Sequence, residues 1–549
     1  MKDAQPIDHD SLVDNLKGRI ALLEERNCQL EEHCKLLEKR NETFARLVLD
    51  LQETVKKLQD EINRLKGQKS RPKIPPSTLD NGKGKNSGTT QRSRLNPITG
   101  PKRVRHQEII IRPENIPTGS RFKGYSDYNV EELLIEVLKI RYRLAIYQSP
   151  TGEVLRGSLP VELRGKHFGP ELIAYCLDQY HGRAVTRPQL LEQLHGFGIV
   201  ISAGELDNIL IVDKDDFHKE KAAVFEAGIA NSNYLNTDDT GARHAGKNGY
   251  CTHIGSPLFS FFESTSSKSR INFLEILRGR YSDYILSEDA LLYAFEQEVS
   301  EKTQEILDDC VNRRFKTKDS WEHFLKKKGI CSEKDQRIAT EAALLGSAIA
   351  HGLNPDMIIM SDAAGQFRIL IHALCWIHEE RHYRKFIPLT EEESVLVAGV
   401  RDMIWDLYEN LKTYKRSPTP ELRAWIEESF DGLFDCVTSS AAINELFKNT
   451  KSRRDGLLRA LDYPYLPLHN NDSERDIREY VKRRKISGGT RSELGRRARD
   501  TFTSLKKTCV KLGVCFWDYL RDRVGKRGYI SPLPTLIAAR ARGSPCGAQ

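Results

Sequence analysis

Three acidic residues stand where the surrounding pattern gives them a chemical use. Asp238 ends the strand-like run NYLNTD, and Asp362 ends a second such run, PDMIIMSD. Glu474 lies inside a helical pattern, LHNNDSERDIREYVKRRK. Mg²⁺ prefers oxygen ligands and keeps several waters, so a few carboxylates suffice to hold it. Two such ions can activate an attacking oxygen and stabilise a leaving one, which is the chemistry of phosphoryl transfer on nucleic acid.

Each acid also has a competing interpretation. A strand-end aspartate is often a turn or cap residue, and a helix glutamate followed by arginine is usually a solvated ion pair. Asp239 competes with Asp238 as a ligand, and Asp289, in DYILSED, competes with Asp362 for the same strand-end position. Only the combination of three acids is therefore informative.

The helix predicted around Glu474 also carries a basic surface. Arg478 and Lys482 follow Glu474 at i+4 and i+8, so the three residues share one face. A carboxylate with cations behind it suits a metal ligand whose helix lies along phosphates. The basic residues that we predict to bind DNA are Arg475, Arg478, Lys482, Arg483, Arg484 and Lys485.

Cys375 and His378, in HALCWIHEERH, have the Cys-x-x-His spacing of a zinc site. No second pair at zinc spacing accompanies them, so we interpret them as a buried cysteine and a hydrogen-bonded histidine that support the core near Asp362. Trp376 is predicted to lie in that core. The sequence has no Walker loop and no dinucleotide fingerprint, so the use of ATP or NAD is not predicted.

The elements around the acids predict an α/β catalytic domain at 216–500. The strand patterns NYLNTDD, YCTHIG and LFSFFES precede the helical pattern RINFLEILRGR, which is the opening of a ribonuclease-H-like fold. The expected fourth strand, MIIMSD, arrives late, so we predict a helical insertion at about 283–353. After Asp362 we expect a helix, AAGQFRILI, a short apolar run, HALCWIH, and another helix, EERHYRKF. A C-terminal helix and tail occupy 501–549.

A heptad pattern predicts a coiled coil at 11–66. Leucine dominates the d positions over eight heptads, from Leu16 to Leu65. Asn27 and Asn41 at a positions favour two parallel strands in fixed register, so we predict a dimer formed through 13–65. A long helix folded back on its own protein is the alternative. Residues 67–106 are rich in Pro, Gly, Ser, Lys and Arg, which predicts a flexible basic linker that either follows phosphates or is merely solvated.

Between the linker and the catalytic domain, residues 107–215 predict a small DNA-binding region. EIIIRP is expected to be a strand, and VLKIRYRLAIYQ and EVLRGSLPV are expected to form a hairpin closed by SPTG. Two helices, Gln189–Leu194 and Ser202–Ile211, flank a turn with two glycines, which is the form of a helix-turn-helix. Two packed helices without a role on DNA would give the same pattern.

Composition sets broad limits on function. The formal net charge of +8 over 549 residues suits a polyanion-binding protein without requiring one. The sequence has no run of eighteen apolar residues, and its eleven cysteines are scattered. We therefore expect a cytoplasmic protein with reduced thiols and no membrane partner.

The chain resembles bacterial transposases of the insertion sequence 66 family, and specifically their large transposase subunit. The resemblance covers most of the protein and rests on three motifs: Asp-acid-Thr, a strand-end Asp before Cys-Trp-x-His-x-x-Arg, and Asn-Asn-x-x-Glu-Arg. The matching residues are Asp238, Asp239, Thr240, Asp362, Cys375, Trp376, His378, Arg381, Asn470, Asn471, Glu474 and Arg475. The resemblance favours Asp238 over Asp239 and Asp362 over Asp289, and it adds Asn471 to the supporting residues.

The resemblance implies a DDE-type transposase that binds two Mg²⁺ or Mn²⁺ ions through Asp238, Asp362 and Glu474. Such an enzyme cuts at the terminal inverted repeats of its element and joins the 3′-hydroxyls to target DNA, with small proteins of the same element as further partners. The resemblance also implies a bacterial protein that associates with the nucleoid. Family members commonly carry a cysteine-rich zinc module where this chain has its hairpin, so no zinc is expected. The rival hypotheses are a catalytically inactive or domesticated DNA-binding relative and a plain metal nuclease.

Overall fold

The structure is a computed structural model that describes residues 107–113, 116–160 and 163–543. The predicted coiled coil at 11–66 and the predicted linker at 67–106 lie outside the described residues. Within the described ranges, the longest apolar helical stretches fall short of what is needed to cross a membrane.

A short hairpin forms where the SPTG turn predicts it. Strand β1 (Ile146–Gln148) pairs antiparallel with β2 (Val154–Arg156), and the Gly152 N–H donates to the carbonyl of Ser149 to close the turn. Each strand has only three residues, and all of them are exposed. The prediction of a strand at EIIIRP is wrong, because 108–113 has no strand in the structure.

The two helices of the predicted helix-turn-helix are present. Helix α1 (Pro170–Leu177) precedes α2 (Arg187–Gly196) and α3 (Ala203–Ile211). The Ser202 hydroxyl accepts the Glu205 N–H at 3.2 Å, which is the N-cap that the sequence indicates. Leucines from both helices pack into a small apolar cluster of their own. The sequence pattern therefore gave the correct local structure between 187 and 211.

A five-stranded mixed sheet carries the rest of the fold. The strands that follow the hairpin are β3 (Tyr234–His244), β4 (Lys247–Gly255), β5 (Ser260–Thr265), β6 (Tyr284–Leu286), β7 (Arg313–Phe315), β8 (Ile358–Ser361) and β9 (Ile371–Leu374). The order in the sheet is β5-β4-β3-β8-β9. Strands β3, β4 and β5 are consecutive and antiparallel, whereas β8 runs parallel to β3 and β9 runs parallel to β8. β6 and β7 form a separate antiparallel pair.

The two faces of this sheet are covered by different elements. Phe261 and Ile359 belong to the large apolar core on one face. Their neighbours Phe262 and Ile358 lie in two smaller clusters on the other face. Successive residues of a strand point to opposite faces, so burial on both sides explains why the strands read as nearly continuous apolar runs.

The predicted insertion before the fourth strand is present as helices and the β6–β7 pair. Strand β8, not the segment around Asp289, lies beside β3, and Asp289 is in the first turn of a helix that Ser287 caps. The helices up to β8 are α4 (Asp215–Ala230), α5 (Arg270–Arg278), α6 (Glu288–Glu296), α7 (Glu301–Asp308), α8 (Lys318–Lys327) and α9 (Glu333–Ala350). The small β6–β7 sheet was not predicted.

The segment after Asp362 differs from the prediction of a helix at AAGQFRILI. It contains a single 3₁₀ turn, Gly365–Phe367, and then β9. Ala363 and Leu370 have φ values of 65° and 50°, which no α-helix accommodates. Arg270 donates to the carbonyl of Gly365 at 2.8 Å, so tertiary contacts hold this short connection against its helical propensity.

A second helical block, which was not predicted as a unit, lies between β9 and the helix of Glu474. Five helices there share an apolar cluster that includes Trp376, the first residue of one of them. The helices from β9 onward are α10 (Trp376–Lys385), α11 (Glu391–Arg416), α12 (Pro420–Phe434), α13 (Ala441–Lys451), α14 (Arg454–Leu457), α15 (Asn471–Ser487), α16 (Glu493–Lys511), α17 (Phe516–Val524) and α18 (Leu533–Gly543).

Candidate catalytic site

Two of the predicted acids lie side by side on neighbouring strands. The prediction that Asp238 ends its strand is wrong, because β3 continues to His244, whereas Asp362 directly follows β8. In the parallel pair β3–β8, Asn236 is opposite Met360. Asp238 follows Asn236 by two residues, and Asp362 follows Met360 by two residues. Neighbouring strands are about 4.8 Å apart, so the two carboxylates start from adjacent backbone positions.

The two aspartates repel each other. Burial raises the pKa of Asp238 to about 7, and the charge of Asp362 is the next cause. Their hydrogen bonds come from the backbone: Asp238 accepts the Asp239 N–H at 2.7 Å, and Asp362 accepts the Ala364 N–H at 3.2 Å. Among the residues that the structure describes, neither carboxylate has a salt bridge. This is a charge arrangement that a divalent cation would stabilise.

Asp239, the alternative to Asp238 as a ligand, is already paired with neighbouring side chains. Gln366 Nε2 donates to one carboxylate oxygen at 2.5 Å, and Lys268 Nζ lies 3.1 Å from the other. Because adjacent residues of a strand point to opposite faces, Asp238 does not share these contacts. The structure thus gives the two aspartates different environments, which the sequence alone left open.

Asn470 fixes the helix of Glu474 against the sheet. Its side chain is fully buried and donates to the carbonyl of Thr237, the residue before Asp238, at 2.7 Å. Its backbone N–H donates to Cys375 Sγ at 3.2 Å. Asn470 therefore connects β3, the start of α10 and the start of α15 through its side chain and its backbone, so that the strand of Asp238 and the helix of Glu474 are joined at one residue.

A buried polar network connects α15 to strands β4 and β5 and to α16. His253, on β4, contacts Ser473 Oγ at 2.6 Å and lies 3.4 Å from Asp476. Asp476 also accepts from Ser260 at 2.5 Å and pairs with Lys511 at 2.9 Å. These contacts, together with Asn470, determine the position of Glu474 relative to the sheet.

Glu474 itself contacts two side chains of α10. Its Oε1 lies 3.2 Å from Arg381 Nη1 and 3.4 Å from His378 Nε2. The charge of Glu474 raises the pKa of Asp238 less than the charge of Asp362 does. In the described part of the chain, no group of three or more His, Cys, Asp and Glu side chains is close enough to hold a metal ion. The three acids thus share one region, while Glu474 is paired with Arg381.

The supporting residues occupy the positions between these acids. Cys375 is buried and accepts the hydrogen bond of Asn470, and Trp376 is buried with its Nε1 donating to the carbonyl of Leu457 at 2.8 Å. Burial and the nearby Arg381 charge lower the pKa of His378, which contacts Glu474. Asn471 is half-buried as the first residue of α15. The asparagine that anchors α15 is therefore Asn470, whereas the predicted supporting residue was Asn471.

The basic residues of α15 fall into two groups. Arg478, Lys482 and Lys485 are exposed, and Arg475 is exposed while it pairs with Asp472. Arg484 donates to the carbonyl of Gly241 in β3. Arg483 is buried, donates to the carbonyl of Tyr180 and covers the Tyr180 ring. We therefore remove Arg483 from the predicted DNA surface, because its guanidinium is used in packing.

The chain is similar to known proteins. The sequence model described as "Transposase IS66 family" matches residues 348–498, a range that contains Asp362 and Glu474. A protein of Sinorhizobium fredii (strain NBRC 101917 / NGR234), described as "Uncharacterized protein y4jO", is 42% identical over 321 residues, which are 58% of this chain and the whole of that protein. The motifs around the second and third acids thus lie inside the matched range. The chain belongs to the IS66 family of transposases.

Proposed function

We propose that this chain is a DDE-type transposase whose catalytic domain has a ribonuclease-H-like fold. The support for the fold is the strand arrangement: three consecutive antiparallel strands, followed by two strands parallel to the first. The observation that carries the activity is the register of β3 and β8, which gives Asp238 and Asp362 equivalent positions on neighbouring strands. The anchoring of α15 by Asn470 supports Glu474 as the third acid.

The acids suit divalent metal ions. Asp238 and Asp362 repel each other without a cationic partner among the described residues, and Glu474 Oε1 is buried without a hydrogen bond there. Asp238, Asp362 and Glu474 would hold Mg²⁺ or Mn²⁺, and their oxygen donors are the type that these ions prefer. Bound ions would polarise the phosphate and activate water or a 3′-hydroxyl as the nucleophile.

The remaining work falls to residues that orient DNA. Arg478, Lys482 and Lys485 on the exposed face of α15 would contact phosphates next to the acids. Asn470 and the His253 network keep Glu474 at a fixed place while the strand is bound. Helices α2 and α3 would contact the element ends, in the manner of a helix-turn-helix.

The proposed substrates are the terminal inverted repeats of the element and a target DNA. Because one transposition event uses two ends, we propose that two copies of the chain pair through 13–65 and act together. Small proteins encoded by the same element are proposed as additional partners. Each end would be cut to release a 3′-hydroxyl, which then attacks a target phosphodiester, so that one bond forms as one breaks.

An assay on purified protein distinguishes this proposal from its rivals. Labelled DNA carrying the element ends and a circular target plasmid are incubated with the protein and Mg²⁺. We expect cut ends and products in which the label is joined to the plasmid. Cutting without joining indicates a plain metal nuclease, and DNA binding without either product indicates an inactive or domesticated relative.

A further inference from the structure

Glu474 lies against two side chains of α10, His378 and Arg381. Arg381 Nη1 is 3.2 Å from Glu474 Oε1, and Arg381 Nη2 is 3.5 Å from Oε2. His378 lies one turn earlier on the same helix, 3.4 Å from Oε1 and 3.0 Å from Arg381. The side chains of His378 and Arg381 are 26% and 32% exposed, so both reach the solvent-facing edge of the site.

These contacts hold Glu474 loosely. Charge-assisted N–H···O⁻ bonds are normally about 2.7–2.9 Å long, and every contact here is longer. An ion pair with this exposure contributes little to the stability of a protein. Arg381 has no second acidic partner among the described residues. The Arg381–Glu474 pair is therefore one that a competing anion can exchange.

A phosphodiester is an anion of the right form for this exchange. The guanidinium fork of arginine binds the two oxygens of a carboxylate or a phosphate in the same way. The exposed cation Arg478 lies on the face of α15 that Glu474 shares, so a DNA strand along this face brings phosphates to the Arg381 edge. The Glu474 carboxylate then occupies the position that a phosphate would take.

We propose that Arg381 and His378 form a phosphodiester-binding site that Glu474 fills in the DNA-free protein. Binding of a DNA phosphate at Arg381 displaces the Glu474 carboxylate, which becomes available to Asp238 and Asp362 for metal. This inference rests on the proposed function, because it uses the same acids. DNA and metal then bind cooperatively, and each raises the affinity for the other by the same factor.

The test measures Mn²⁺ binding instead of catalysis. Full-length protein is titrated with Mn²⁺ alone, with and without a duplex oligonucleotide of mixed sequence, and free Mn²⁺ is followed by its electron paramagnetic resonance signal. In wild type we expect DNA to tighten Mn²⁺ binding. Without DNA, Arg381→Gln should bind Mn²⁺ about three- to five-fold more tightly than wild type, because the competing cation is gone. DNA should add nothing further in that variant.

Arg384→Gln is the matched control. Arg384 lies three residues further along α10, is exposed, and carries the same charge. Its loss should leave both the DNA-free affinity and the effect of DNA at the wild-type values. Equal tightening by Arg384→Gln and Arg381→Gln would show a general charge effect and would overturn the proposal.

The remaining outcomes separate this inference from the proposed function. An Arg381→Gln variant that binds Mn²⁺ no more tightly than wild type without DNA overturns the inference alone, provided that Asp238→Asn weakens Mn²⁺ binding. Mn²⁺ binding that is unaffected by Asp238→Asn overturns the proposed metal site and, with it, the inference. If Arg381→Gln does not fold, Arg381→Lys replaces it: lysine lacks the two-pronged contact, so it too should bind Mn²⁺ more tightly, and an unchanged affinity counts against the proposal.

Discussion

Asp238 and Asp362 occupy equivalent positions on the neighbouring parallel strands β3 and β8, each two residues beyond the matched pair Asn236 and Met360. This relationship places two carboxylates together on adjacent inner strands, without a compensating cation among the described residues. Burial and the Asp362 charge raise the pKa of Asp238 to about 7. The two carboxylates therefore destabilise the metal-free folded protein, and the size of this destabilisation depends on pH.

The first prediction concerns this pH dependence. A carboxylate whose pKa is higher in the folded than in the unfolded protein stabilises the fold below its unfolded pKa, and this contribution is lost as the pH rises through the folded pKa. With metal chelated, wild type should lose stability relative to Asp238→Asn between about pH 4 and pH 7, on the order of 2 kcal/mol. Urea unfolding at pH 5 and pH 8 measures the difference.

Asp239→Asn is the control for that experiment, since Asp239 is paired with Lys268. The loss of stability with rising pH should persist in Asp239→Asn, because Asp238 remains buried beside Asp362 in that variant. A stability difference between wild type and Asp238→Asn that is constant from pH 4 to pH 8 would contradict the environment described for Asp238.

The second prediction concerns Asn470. Asn470→Ala removes the 2.7 Å hydrogen bond to the Thr237 carbonyl and leaves that carbonyl buried without its donor. A buried polar group without a partner costs about 1–3 kcal/mol. Chemical denaturation should show a loss of this size, together with reduced DNA cleavage, because α15 is no longer fixed beside β3. Asn471→Ala should have little effect on stability; an equal loss there would argue against Asn470 as the anchor.

The third prediction separates two arginines of α15. Arg478 is exposed, so Arg478→Gln should weaken DNA binding and lower the slope of log affinity against log salt by about one. Arg483 is buried over the Tyr180 ring, so Arg483→Gln should lower the melting temperature without changing that slope. Salt titrations of DNA binding and thermal melts test both statements. A reduced slope in the stable fraction of Arg483→Gln would contradict its structural role.

The fourth prediction concerns the contact between the β3–β4 turn and the segment after α15. A Cβ on Gly489 would lie 2.3 Å from the Arg243 carbonyl oxygen, and the next residue, Thr490, donates its N–H to that carbonyl at 2.9 Å. Gly489→Ala should therefore destabilise the protein and expose this turn to proteolysis. Gly432→Ala, in helix α12 with open space around the added methyl group, should stabilise by about 0.5–1 kcal/mol. Unchanged proteolysis in Gly489→Ala would be evidence against the close contact.

The sequence was sufficient to predict the strands that carry the two aspartates and one helix cap. Strand β3 begins where the pattern predicts it, although it continues through Asp238 to His244 instead of ending at Asp238. Strand β8 follows from an apolar run that stops at Asp362, and the cap at Ser202 follows from residue type and position. These features depend on local patterns of polarity and on side chains that satisfy nearby backbone groups. Periodicity alone is enough to detect them.

The errors arose where distant contacts decide the structure. The segment AAGQFRILI has helical composition, but the contact of Arg270 with Gly365 and the pairing of β9 with β8 make it a turn and a strand. Arg483 has the same local pattern as Arg478, and only the packing of Tyr180 against α15 distinguishes them. The Arg381–Glu474 pair joins residues 93 positions apart, so spacing along the sequence could not indicate it.

The most direct test of the central claim compares single variants of the acids in the end-joining assay. Asp238→Asn, Asp362→Asn and Glu474→Gln should each abolish cutting and joining while DNA binding remains, because each removes a proposed metal ligand. Asp239→Asn should retain activity, since Asp239 is occupied by Gln366 and Lys268. Joining at the wild-type rate by any of the first three variants would contradict the assignment of Asp238, Asp362 and Glu474 as the catalytic acids.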